Sequence, residues 1–456
     1  MSHTTEQLAE FVLAADSHRL ASTVSEAAKD ALIDLLASAV AGWAAPAARC
    51  ARRTASALFA AGPSRIWFSD CLRQPAAAAL ANSAAASALD LDDGHRGAGG
   101  HPGAAIWPSV LAMGQALAAD GRSVIAAAAL GYEVAVRIAA ARDFSRLDTL
   151  STGRWSAFGA AAVAGRLQGV SRRVLTQAMA IAGVLSPGLS AAGYSSIMGN
   201  QVKEGIPWSV LTGLTALDLA ASGMTGPIDI LDHPDYFDAR AITMGIGEDW
   251  ALSNVYFKPY ACCRWIHAAL DGLLALMTGA GIEAKSIRRI GVHTFERALR
   301  LNNYPDPPTI EAAQYSVPFC LALGASSGKE ALLPLDPACL SDPEVVALAR
   351  NVQLHVDPDM DRRFPAEAGA RVVIETTSGQ LERAVRFPLG DPANPLGRPQ
   401  LVNKFQRLAN GVIDVAGQDQ LIAAVTTLEN QTAETFDVLL GQSKAAPHEI
   451  EKEHTT

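Results

Sequence analysis

The chain has 456 residues, 49% of them apolar and 18% charged, a composition that buries a core and excludes a disordered or low-complexity protein. The formal net charge is −9 and no Lys/Arg run forms a basic stripe, which argues against nucleic acid as a partner. The length exceeds one ordinary core, so two domains are expected. The first residues lack the basic-then-apolar order of a signal peptide, and charges interrupt the longest apolar tracts. Six scattered cysteines without a CxxC spacing fit a reducing compartment. A cytoplasmic protein with no membrane association is therefore expected.

From the N-terminus to about residue 260, apolar residues recur at helical spacing in an Ala-, Leu- and Gly-rich background. SEAAKDALIDLLASAVAGWAA places Ala28, Leu32, Leu35, Leu36 and Val40 on one stripe, with Ser25 as its N-cap. Further helices are predicted over 47–60, 75–89, 103–118, 123–141, 156–168, 172–185 and 202–222. The small residues of FGAAAVAGRLQG predict close approach of helix backbones. The pattern changes after KPYACCRWIHAALDGLLALM. There IRRIGVHTFERA, VQLHVDP and ARVVIETTSGQLERAVRFPL alternate as half-buried strands do, the last with a hairpin turn at Ser378-Gly379. Helices are predicted at 309–326 and 342–350, helical periodicity returns from 399, and GQSKAAPHEIEKEHTT forms a polar tail. The expected fold class is multi-domain α and α+β: a large all-helical domain from residues 1–267 and 393–456, and a smaller α+β domain from 268–392.

The stretch ALDLDDGHRGAGGHPGAAIWPSV sets Asp90, Asp92, Asp93, His95 and His101 around a run of glycines. Alternating aspartates suit a hard cation, but the spacing is not that of a calcium loop and no third histidine completes a zinc set. A polar turn between two helices, with Pro102 at the first position of the second, explains the glycines and the proline. It explains three acids and two histidines less well, so a functional pocket is preferred to a metal site. In KPYACCRWIHAALD, Lys258, Arg264 and His267 supply three potential cations beside Tyr260, an arrangement suited to carboxylates. Cys262 and Cys263 read as two small buried side chains. Lys203 in GNQVKEGIPW is either a solvated first-turn lysine or a site residue, and EAAQYSVPF reads as core packing.

Together these stretches resemble the MmgE/PrpD family, which includes 2-methylcitrate dehydratase, cis-aconitate decarboxylase and iminodisuccinate epimerase. NSAAASALDLDDGH with HPGAAIWPSVLA, then GYEVAVRI, KPYACCRWIHAALD and EAAQYSVPF, match in order and spacing over nearly the whole chain. The resemblance implies a large helical domain built from both ends of the chain, an α+β lid, and an active site in the cleft between them. It implies cofactor-independent homodimers, without a metal, acting on small di- or tricarboxylic acids. Asp90, His101, Lys203 and His267 match residues that line the family's pocket, and Lys258 and Arg264 fall in the same cationic motif. The chain also departs from the pattern. Gly94 stands where the family often has Thr, and Leu150 where a histidine would fall, with Arg154 added nearby. Phe319 stands for a tyrosine and Ser87 for the histidine of HALD.

Substrates of this kind carry a hydrogen on carbon beside a carboxylate, and removing it creates negative charge that fixed cations must meet. Histidine titrates in the range a general base needs, so His101 is the first candidate, and Lys203 serves only where neighbours or burial favour its neutral form. Asp90 is expected to orient His101 or bind a substrate amine. Arg264, His267, Lys258, Arg154 and Tyr260 are expected to bind the substrate. Because the missing histidine and tyrosine are tied to removing water or carbon dioxide, the leading expectation is an isomerase, an epimerase of an iminodisuccinate-like polycarboxylate. The alternative is a dehydratase or decarboxylase of the 2-methylcitrate or cis-aconitate type, and a third reading is a non-catalytic carboxylate-binding protein.

Overall fold

The computed structural model describes residues 2–189, 191, 195, 197 and 199–443, so all but the first residues of the polar tail lie outside it. Small side chains set the packing of the N-terminal part. The helix Pro75–Ser87 lies against Ser22–Gly42, Gly103–Ala116 and Ile206–Ala221, while Ser156–Gln168 packs on Gly121–Ala140 and Ile206–Ala221. A Cβ on Gly159 would sit 2.7 Å from the carbonyl oxygen of Gly131, and one on Gly213 would sit 2.4 Å from that of Ala157. These helices touch backbone to backbone, as the small-residue spacing predicts. The Gly121–Ala140 helix is long and apolar enough to cross a membrane, but most of it is buried among its neighbours.

Local signals explain most boundaries. Pro75 opens its helix, Asp120 caps the next by accepting from the Ser123 N–H, and Gly169, left-handed at φ 64°, closes Ser156–Gln168. Other boundaries correct the sequence reading. Ser25 does not cap the Ser22–Gly42 helix: the helix starts a turn earlier, with Ala21 as its N-cap and Val24 already buried. The helix predicted over 309–326 breaks into Ile310–Ala313 and Val317–Ser327. Ser316 there accepts from the Phe319 N–H and starts a new helix. Pro102 is the N-cap of Gly103–Ala116 rather than its first residue.

The later part of the chain forms a four-stranded mixed sheet in the order Val352–Val356, Ile287–Thr294, Ala370–Thr376, Gly379–Val385. The first pair is parallel and the other two are antiparallel. Thr376 pairs with Gly379, so the hairpin turn is Thr377-Ser378, one residue earlier than predicted. The helix Arg264–Ala280 covers Ala370–Thr376 and Gly379–Val385, and Val317–Ser327 packs on its other side. A separate two-residue ladder, Gly94–His95 against Val255–Tyr256, brings the aspartate stretch to the approach of the KPYACC motif.

The chain then returns to its start. Arg398–Ala409 packs on Ser22–Gly42, and Ala433–Gln442 packs on Gly103–Ala116. The first contact contains a buried ion pair: Lys404 Nζ lies 2.7 Å from Asp34 Oδ1 and donates to the Leu91 carbonyl at 2.8 Å. Burial lifts the Asp34 carboxyl to about 6, against the pull of Lys404. Lys404 thus ties the C-terminal segment to the loop that carries the aspartates. Lys404→Met strands Asp34 and the Leu91 carbonyl, and is expected to cost roughly 3–5 kcal/mol in urea unfolding at pH 7. The double variant Lys404→Met/Asp34→Leu removes both charges and should recover most of that loss.

Candidate functional site

The Pro75–Ser87 helix runs out into Asp90, whose φ of 56° is left-handed, a conformation aspartate tolerates better than most residues. That turn directs its carboxylate into the interior. Lys258 Nζ lies 3.1 Å from Asp90 Oδ2, and Oδ1 faces both Lys203 Nζ at 3.5 Å and His101 Nε2 at 3.9 Å. Lys258 also donates to the Asp90 backbone carbonyl at 3.0 Å and has no exposed surface. Burial by itself raises the Asp90 carboxyl, but the charges of Lys258, Lys203 and His101 outweigh it and hold the group below the usual carboxylate range. Burial likewise opposes the charge on Lys258, and Asp90 reverses the balance, pushing its ammonium above the ordinary lysine value. The carboxylate is ionised and Lys258 is its counter-ion.

His101 is fixed from two sides. Its Nδ1 lies 2.8 Å from the Asp93 backbone carbonyl, which can only accept, so Nδ1 carries a proton and Nε2 is the nitrogen turned toward Asp90. Its backbone N–H donates to Thr152 Oγ1 at 3.0 Å. Asp93 accepts from Tyr132 Oη at 2.7 Å and from the Gly103 N–H at 2.8 Å. Burial, opposed by Tyr132, lifts its carboxyl to about 7. Asp93 thus anchors the helix that follows His101, and a Cβ on Gly103 would come within 2.5 Å of it. Asp92 is buried with Oδ2 3.7 Å from His101 Nδ1, its carboxyl raised by burial against the charge of His101.

Lys203 sits in the turn before Ile206–Ala221, where Lys203, Glu204 and Gly205 are all left-handed at φ 45°, 59° and 70°. That is why the helix predicted from 202 begins at Ile206. Lys203 Nζ also donates to Gln314 Oε1 at 3.1 Å and lies 5.4 Å from the Tyr315 ring centre. A cavity of about 540 Å³ opens beside the cluster, with Lys203, His101, Arg264, Leu150, Tyr256 and Tyr315 in its wall. Arg96, Arg297 and Arg300 also border it, against Asp148 and Glu204 as its acids. The cavity is cationic inside an acidic protein.

The KPYACC motif divides between wall and support. Arg264 faces the cavity, with Nη1 donating to the Leu389 carbonyl at 2.8 Å, Nη2 to that of Pro388 at 3.1 Å, and its guanidinium 4.7 Å from the Tyr256 ring centre. His267 is fully buried behind it. Its Nε2 lies 3.1 Å from the Cys262 carbonyl and its Nδ1 3.2 Å from Arg264 Nη1, so both ring nitrogens are used within the protein. Burial, with the charges of Arg264 and Lys258, holds the His267 imidazole well below its ordinary value, hence neutral. Tyr260 donates to Asp271 at 2.8 Å, and its ring lies 5.1 Å from that of His267, tilted by 57°. Of the five residues expected to bind substrate, only Arg264 reaches the cavity wall; Lys258, His267 and Tyr260 stand behind it. Arg154 is exposed and outside the lining, because its short turn points it to solvent.

The departures from the family pattern separate in the same way. Leu150 lines the cavity, whereas Phe319 is buried in the core of its helix and Ser87 donates to the Ser83 carbonyl at 2.8 Å. Gly94 has a specific partner: a Cβ there would lie 2.2 Å from Tyr256 Oη. The absent side chain makes room for the phenol. Tyr256, Arg96, Arg297 and Glu204 were not singled out from the sequence, and Tyr315, whose stretch reads as core packing, lines the cavity. Only the alternation of VYFKPY, which puts Tyr256 on the same side as Lys258, carried a signal.

Two family models match successive parts of the chain. Residues 6–244 match the MmgE/PrpD N-terminal domain and residues 260–430 the MmgE/PrpD C-terminal domain. The chain belongs to the MmgE/PrpD family. Its relatives include a cis-aconitate decarboxylase of Aspergillus terreus, 27% identical over 401 residues that cover 78% of this chain and 79% of that protein. A cis-aconitate decarboxylase-like protein, oryM, of Aspergillus oryzae (strain ATCC 42149 / RIB 40) is 26% identical over 394 residues, covering 78% and 80%. These relatives do not support an isomerase or an iminodisuccinate epimerase. Their names point to the lyase alternative. Among the described residues of this MmgE/PrpD chain, no group of three or more His, Cys, Asp or Glu side chains is arranged to hold a metal ion.

The electrostatics give a test independent of substrate. Asp90→Asn tolerates the left-handed backbone but leaves Lys258 buried without its counter-charge, at an expected cost of roughly 3–5 kcal/mol at pH 7. Because the folded Asp90 group titrates below its unfolded value, its stabilisation is present above the unfolded value and is lost as pH falls through the folded one. Urea unfolding should therefore show a constant gap between the two proteins from pH 7 to about 5, closing only under more acid conditions.

Proposed function

We propose that this MmgE/PrpD protein is a lyase that removes carbon dioxide from a small unsaturated tricarboxylic acid of the cis-aconitate kind. The observation that carries the reading is the pairing of His101 Nε2 and Lys203 Nζ on one carboxylate oxygen, both open to a cavity bordered by arginines. The names of the relatives support the same class of reaction. Arg264, held by two backbone carbonyls and His267, offers its remaining N–H groups to a substrate carboxylate, and Arg96 and Arg297 offer others. When the C–C bond to the departing carboxylate breaks, its electron pair stays on carbon and spreads toward a retained carboxylate. Lys203 and the arginines stabilise that charge because they are fixed beforehand in a partly dry site. His101 or Lys203 then delivers the proton to carbon, and Asp90 keeps both donors in place.

A second reading, epimerisation of a polycarboxylate with an acidic methine, is favoured by one observation: Leu150, an apolar side chain, lines the cavity where the resemblance implies a histidine. The same two groups would remove and return the proton. For the homodimer expected of the family, Val184 and Leu185 at the end of one helix and Trp208 at the start of the next are exposed apolar side chains suited to a contact.

Incubation with cis-aconitate, 2-methylcitrate and the three iminodisuccinate stereoisomers in deuterated water, followed by proton NMR, separates the readings. The lyase reading expects loss of carbon dioxide from cis-aconitate with one deuterium on the product carbon. Interconversion of iminodisuccinate isomers with exchange at the methine establishes the second reading instead, and no reaction of any acid overturns both. In the active case His101→Ala and Lys203→Ala should each lower kcat by at least about 10²-fold while the proteins stay folded by circular dichroism.

A further inference from the structure

Three consecutive left-handed residues, two of them bearing a Cβ, make Lys203-Glu204-Gly205 the most strained stretch beside the cavity among the described residues. Such a turn persists only where its surroundings over-determine it. The constraint is visible. Glu204 Oε2 accepts the Thr152 N–H at 2.9 Å and the Thr152 hydroxyl at 2.6 Å. Since that hydroxyl gives its proton to Glu204, its oxygen is left to accept the backbone N–H of His101 at 3.0 Å. Two glycines leave room for this chain of bonds. A Cβ on Gly153 would lie 2.5 Å from the Glu204 carbonyl oxygen, and one on Gly100 would lie 2.3 Å from Thr152 Oγ1. At its two ends, Lys203 Nζ and His101 Nε2 meet on the same oxygen, Asp90 Oδ1.

We infer that Glu204 is a positioning residue that, through Thr152, sets Lys203 and His101 in register with each other. The inference rests on the reading of Lys203 and His101 as the proton-transfer pair. Glu204 borders the cavity, but its Oε2 is taken up by Thr152. Without its carboxylate the strained turn loses both hydrogen bonds to Thr152, and Lys203 relaxes away from Asp90. The register of the two donors, rather than their identity, is what Glu204 supplies.

The test compares Glu204→Ala with Glu204→Gln, which keeps an accepting oxygen. Two measurements are made on each folded protein: kcat and KM for cis-aconitate across pH, and the pH dependence of reductive methylation of Lys203 with formaldehyde, read by mass spectrometry. Glu204→Ala is expected to lower kcat at least about tenfold with KM changed by less than about threefold, and to shift the pH dependence of Lys203 methylation. Glu204→Gln should restore most of both. If Glu204→Ala does not fold, Thr152→Val breaks the same link from the other side and should reproduce its effects, with Thr152→Ser as its rescue. Unchanged methylation of Lys203 in the folded alanine or valine variant overturns the inference, as does a glutamine variant no better than alanine. If wild-type protein turns over none of the acids, the proposed function fails, and Lys203 methylation alone decides the role of Glu204.

Discussion

The site depends on a single buried carboxylate. Asp90 has almost no exposed surface and would be neutral if left alone there, yet it is surrounded by Lys258, Lys203 and His101 and stays ionised. The converse holds as well: a lysine with no exposed surface, such as Lys258, keeps its charge only beside a counter-ion. Neither partner is tenable without the other. This mutual requirement fixes the point at which the helical body, the turn before Ile206 and the KPYACC loop converge.

On that foundation the division of labour follows from depth. Lys258, His267 and Tyr260 hold charges and orientations from behind the wall, while Lys203, His101 and Arg264 face the cavity. His267 is instructive: both of its nitrogens are engaged with the Cys262 carbonyl and Arg264, so it aims the guanidinium. Fixed cations around a small cavity stabilise any carbanion beside a carboxylate, whether it arises by losing carbon dioxide or a proton.

Much of this was legible in the sequence, for physical reasons. Helical period and alanine content marked the helices, and the glycines of FGAAAVAGRLQG announced backbone contacts. The clustering of Asp90, His101, Lys258 and Arg264 in unusual polar junctions marked the site. What failed were inferences from adjacency along the chain. Arg154 lies near the site in sequence but points to solvent, whereas Phe319 is buried as the core-packing reading of its motif expects. At Gly94, where the family pattern has Thr, the gap is filled by the Tyr256 ring from another segment. The left-handed run at 203–205 was invisible too, because nothing in KEG requires it: it is imposed by Thr152 and Asp90, far away in the chain.

The central claim is that a polycarboxylate binds over the His101–Lys203 pair, with Asp90 buried beneath it. A crystal structure with tricarballylate, a tricarboxylate without the reactive double bond, tests this most directly. The account predicts carboxylate oxygens within about 3.2 Å of Lys203 Nζ and an Arg264 nitrogen. A backbone carbon of the ligand should then face His101 Nε2. A ligand bound elsewhere, or one whose carboxylates touch neither Lys203 nor Arg264, would contradict it.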